Sequence, residues 1–134
     1  MSEQSESELE KRIDAIESAY EFMLAYAAQG RDSDAGTGAG ASELRRYLDA
    51  MNSALDGLGD TISNIASAKN SAAARDASAF LQAIDEDARC ARGIVQLVLA
   101  QDGISSQLID NVNGSIHLRA LLTDLFVIDE ALKT

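Results

Sequence analysis

The sequence predicts an all-α fold, an antiparallel four-helix bundle with coiled-coil-like heptad packing. Three observations predict it. Apolar residues recur in alternating steps of three and four along four segments. There is no proline in 134 residues, which suits long unbroken helices. No segment alternates apolar and polar residues in the manner of a strand.

The first helix is expected over residues 5–29, with its seam at Leu9, Ile13, Ile16, Tyr20, Met23 and Ala27. Ser5 and Glu8 have the spacing of a capping box, and Gly30 supplies a stop. Residues 31–41 are rich in Gly and Ala and read as a flexible linker with solubilising acids. The second helix is expected over 42–69, capped by Ser42, with the seam Leu44, Leu48, Met51, Leu55, Leu58, Ile62 and Ile65. Gly57 and Gly59 fall inside it, each weakening an isolated helix by roughly 1 kcal/mol relative to Ala. A turn is expected at Lys69 to Ser71, because continuing the register would bury Lys69 and Asp76.

The third helix is expected over 71–102, with the seam Ala77, Leu81, Ile84, Ala88, Ala91, Val95 and Val98 and with Gly103 as its stop. The fourth is expected over 105–132, clearest at Leu118, Leu121, Leu125, Ile128 and Leu132, with a kink or break at Asn113-Gly114-Ser115. A period of 3.5 residues implies helices packed at small crossing angles, and short turns make neighbours antiparallel. The whole chain is one domain's length.

Charge narrows the function. Eleven basic residues against 22 acidic give a net charge of −11. Such a surface repels phosphate backbones and anionic lipid, so neither nucleic acid nor a membrane is an expected partner. No apolar run approaches the ~20 residues that span a bilayer; the longest is Phe22 to Ala28. A single cysteine, Cys90, permits no internal disulfide and suits a reducing compartment. No basic-then-apolar leader pattern opens the sequence. A cytoplasmic location is the expectation.

The residues that could carry chemistry are few. A di-iron bundle needs Glu-x-x-His on two helices, and His117 follows Gly114 by three. Asp32, Asp34 and Glu43 can be laid on positions 1, 3 and 12 of a calcium loop. Gly36, Thr37 and Ala39 then stand where a ligand, the turn glycine and a large apolar residue belong, and the plainer reading is a linker. Gly36-x-Gly38-x-Gly40 follows no strand, so it is not read as a phosphate loop. Asp85-Glu86-Asp87 diverge around a helix and read as a solvated face. Cys90 has Arg89 and Arg92 nearby but reads as a spectator thiol. No enzymatic set, cofactor or metal site is expected.

His117 flanks the last seam. The string Ile116-His117-Leu118-Arg119-Ala120-Leu121 is similar to the histidine box of phosphorelay proteins, which implies His117 as a phosphoryl acceptor. It departs from that pattern: Arg119 sits two residues after the histidine instead of three, and Leu121 stands where a small residue belongs. The plainer reading is a histidine at the edge of the core.

What remains is surface. Phe22, Leu97, Phe126 and Val127 fall outside the seams of their own helices, and Leu122 widens the last stripe toward them. These five are the expected interface of a non-catalytic protein-interaction module, for a protein partner or a second copy in a homodimer. Histidine phosphotransfer through His117 is the alternative.

Overall fold

The computed structural model describes residues 2–35, 41–69 and 76–133. Among them there are six helices and no strand: α1 (Ser2–Ala27), α2 (Ala41–Leu55), α3 (Leu58–Lys69), α4 (Ser78–Leu99), α5 (Ser106–Asn113) and α6 (Ile116–Lys133). The all-α class stands, and two of the four expected helices are interrupted. α1 packs on α2, α3 and α5; α4 packs on α2, α3 and α6; α5 also touches α6.

The expected 42–69 helix breaks at Asp56 and Gly57. Gly57 has φ +71°, a left-handed conformation that an α-helix cannot continue through and that glycine adopts without steric penalty. Gly59 then serves close packing. A Cβ there would lie 2.6 Å from Asp85 Cβ, so the bare glycine lets α3 approach α4. The expected 105–132 helix breaks at Gly114, whose N–H still closes on Asp110 O at 3.2 Å, before Ile116 opens α6. Ser105 caps α5 by accepting from Leu108 N–H at 3.0 Å.

Other expected ends shift. Ser5 and Ser42 lie within helices that begin at Ser2 and Ala41, so neither is the N-cap. Gly30, at φ +65°, does follow α1 in the left-handed conformation. α4 ends at Leu99 with Ala100 as its C-cap, so Gly103 is not its stop. The start expected at 71 and most of the Lys69–Ser71 turn lie outside the described residues.

The seams form the core. All seven apolar positions from Leu44 to Ile65 are buried, as are Ile84, Ala88, Ala91, Val95 and Val98. Leu9, Ile13, Ile16, Met23, Leu118, Leu121, Leu125 and Ile128 join them. Tyr20, Ala27, Leu81 and Leu132 are partly buried at the margin. Tyr26, read outside the first seam, is fully buried.

Arginines from neighbouring segments close two helix ends. Neither α2 nor α4 carries a basic residue in its last turn, where unpaired carbonyls concentrate negative charge. Arg12 of α1 donates to Ala54 O at 3.0 Å and Asp56 O at 2.6 Å at the end of α2. Arg45 of α2 donates to Leu99 O at 3.1 Å and Gln101 O at 2.8 Å at the end of α4.

Residues 31–35 are not a free linker, which corrects the reading of 31–41. Asp34 is buried, ion-paired with Arg45 at 2.6 Å, and accepts from Ile104 N–H at 2.7 Å. Ser106 donates to Tyr26 O at 2.7 Å and accepts from Arg31 N–H at 2.9 Å, while Arg31 O accepts from Ser106 N–H at 2.9 Å. The Tyr26 hydroxyl donates to Ile104 O at 2.6 Å. These bonds join the end of α1, the start of α2, the end of α4 and the start of α5. The glycine run 36–40 lies outside the described residues.

Candidate functional site

The outward side of α6 carries the clearest candidate. Phe126 is 55% exposed and Val127 53% exposed. The inner stripe of α6 is already filled by Leu118, Leu121, Leu125 and Ile128, so the two are left pointing to solvent. Ile116 and Val127 fall on one stripe of the helix through Ala120 and Thr123, at steps of four, three and four. Ile116 is more exposed still, at 76%. The sequence reading missed it because it precedes the first clear seam residue.

The other expected interface residues are dispersed. Leu122 is buried in the core between α6 and its neighbours, which corrects its assignment to the interface. Phe22 is partly buried and stacks on Tyr47 of α2, ring centroids 4.6 Å apart, so its free face is already used within the chain. Leu97 is exposed on α4. The exposed apolar surface on α6 runs from Ile116 to Val127, and Leu97 adds an exposed apolar side chain on α4. Leu24 of α1 is also exposed and was not singled out by the sequence.

His117 is exposed in the first turn of α6, beside exposed Arg119. Cys90 is exposed on α4. Asp85 pairs with exposed Arg89 at 3.0 Å. Of the calcium-loop candidates, Asp34 is held by Arg45, so a fixed guanidinium stands where a cation would bind. Among the described residues, no group of three or more His, Cys, Asp or Glu side chains is placed to hold a metal ion.

Electrostatics single out acids that the sequence reading placed in solvent or passed over. Burial disfavours the Asp34 carboxylate, but its hydrogen bonds from Arg45 and from Ile104 N–H outweigh that and hold its pKa below the ordinary value. Asp124 moves the other way. Burial, and then the hydrogen bond and charge of Asp87 across the α4–α6 interface, push its pKa up to about 7. Its Oδ2 is buried without a donor. Glu17 on α1 is also raised, by burial and then by Asp14, Glu21 and Asp129. The latter three belong to an acidic flank where α1 meets the end of α6.

Comparison with protein-family models, with curated proteins and with solved structures gave no match. No helix among the described residues is long and apolar enough to cross a membrane.

Proposed function

We propose that this chain is a non-catalytic helical protein-interaction module, an adaptor, chaperone-like or regulatory protein of the cytoplasm. The six helices of the described residues act as four rods, α1, α2–α3, α4 and α5–α6, packed antiparallel in a coiled-coil-like bundle. Three cross-contacts support the opposed course of the first two rods: Glu6 lies by Lys69, Arg12 by Ala54 and Phe22 by Tyr47.

The observation that carries the functional reading is the exposure of Phe126 and Val127 on a helix whose inner stripe is already complete. Leaving such side chains in water forgoes roughly 1.5–3 kcal/mol each that burial provides. A two-fold contact that pairs α6 with α6 of a second copy is the commonest way to recover it. The net charge of −11 argues against nucleic acid and anionic membranes as the partner. Sedimentation equilibrium at micromolar concentration tests the homodimer. Twice the chain mass is expected, and a monomer across the range rejects it in favour of a different protein partner.

The alternative is phosphotransfer through His117, favoured by that side chain's exposure. Incubation with a small-molecule phosphodonor, followed by mass spectrometry under conditions that preserve phosphohistidine, tests it. A phosphoryl adduct lost in His117→Gln supports this alternative, and an unmodified chain rejects it.

A further inference from the structure

Among the described residues, the α4–α6 interface contains two carboxyl groups and no cation to balance them. Asp87 and Asp124 meet side chain to side chain within hydrogen-bond reach. As two carboxylates they have no donor to offer each other, and Asp124 Oδ2 is buried with none from elsewhere. One shared proton converts a repulsive contact into a hydrogen bond. Neither helix provides a basic residue one turn away: positions 83, 84, 90 and 91 on α4, and 120, 121, 127 and 128 on α6, carry none.

The surrounding charges are engaged or exposed. On α4, Asp85 pairs with Arg89 and Arg92 with Asp56, and Glu86 is exposed. On α6, His117, Arg119 and Glu130 are exposed, and Asp129 acts on Glu17 of α1. On α2, Arg45 pairs with Asp34, and Arg46 and Asp49 are exposed. On α3, Lys69 pairs with Glu6 and Asp60 is exposed; α5 has Asp110, also exposed. Among the described residues, Asp87 is the charged group that acts on Asp124.

We propose that the Asp87–Asp124 pair is a proton-operated latch that holds α6 on α4 while one proton is shared and loosens α6 when that proton is lost. The direction follows from linkage. Asp124 binds its proton more tightly folded than unfolded, where an aspartate titrates at about 3.9. The folded state therefore carries the extra proton from there up to about 7. Stability from the pair is greatest below this interval and falls as pH rises through it. α6 is the element set free because it is anchored chiefly on α4.

Amide hydrogen exchange of the full chain, corrected for intrinsic rates, tests the latch at pH 5.5 and 8.5. Exchange in the α6 segment around residues 118–130 is expected to rise at least tenfold at the higher pH relative to α2. Asp124→Asn, which donates to Asp87 at every pH, is expected to reduce that rise to less than threefold. Asp87→Asn, which donates from the other side, should do the same and serves if the first variant does not fold. Histidine ordinarily titrates in this interval, so His117→Gln is the control and should keep the full rise. Parent α6 exchange that does not change between the two pH values overturns the proposal. So does a rise that persists in the Asn variants or disappears in His117→Gln.

Discussion

Arg45 Nε lies 2.6 Å from Asp34 Oδ2, and the same carboxylate accepts the Ile104 N–H through its other oxygen at 2.7 Å. One side chain from a segment that reads as linker thus connects the start of α2 to the strand of chain between α4 and α5. Asp34→Ala leaves a buried N–H without an acceptor and a partly buried guanidinium without its counter-charge. It should destabilise the fold by about 2–4 kcal/mol, read as a lower urea midpoint at pH 7. The contribution has a definite pH sign. Asp34 has a lowered folded pKa, so its stabilisation is present above the unfolded value and is lost as pH falls through the folded one. Acid unfolding of Asp34→Ala should accordingly be shallower than that of the parent.

Gly57 and Gly59 play different parts, and their alanine variants separate them. Gly57→Ala places a Cβ at φ +71° with nothing near it, so only backbone strain of about 1–2 kcal/mol is expected. Gly59→Ala drives a Cβ into Asp85 and pushes α3 from α4. It should cost about 1–3 kcal/mol. Thermal unfolding of the Gly59→Ala/Asp85→Ala double variant should recover part of that loss. An unchanged loss would show that the obstacle is not the Asp85 carboxylate but the Cβ at position 85, which alanine keeps.

Leu55→Asp should be severely destabilising. Leu55 is 2% exposed at the end of α2, where an unpaired carboxylate is either desolvated or forced to keep its proton. Leu55→Ala, by comparison, should lose about 2–5 kcal/mol through lost burial and cavity formation. A melting temperature unchanged by the aspartate would contradict the placement of this seam.

The helices were legible because burial follows a local period. The seam from Leu44 to Ile65 named the large buried residues of α2 and α3, but not Ala54, Gly59 or Ala66, even though the helix breaks between them. The break itself was half visible, since Gly57 marks where a left-handed residue is tolerated without showing that one occurs. Asp34 was not legible. Its partners Arg45 and Ile104 lie 11 and 70 residues away, and a Gly-rich context gave no sign that an acid would be buried. Asp124 was hidden for a similar reason. Its flanking pattern is that of an ordinary helix edge, and only the packing of α4 on α6 brings Asp87 to it. Of the surface residues, Phe126, Val127 and Leu97 were read correctly as exposed. Phe22 was claimed by Tyr47 and Leu122 by the core, contacts that a single-helix register does not contain.

The central claim is that α6 presents a protein-binding face at Phe126 and Val127. Sedimentation equilibrium comparing the parent with Phe126→Glu/Val127→Lys tests it most directly, with circular dichroism on the same samples. Because both side chains are more than half exposed, the double variant should keep the parent's helical signal. The account predicts a parent of twice the chain mass and a folded, monomeric variant. A folded variant that remains a dimer, or a variant that loses its helices, would contradict it.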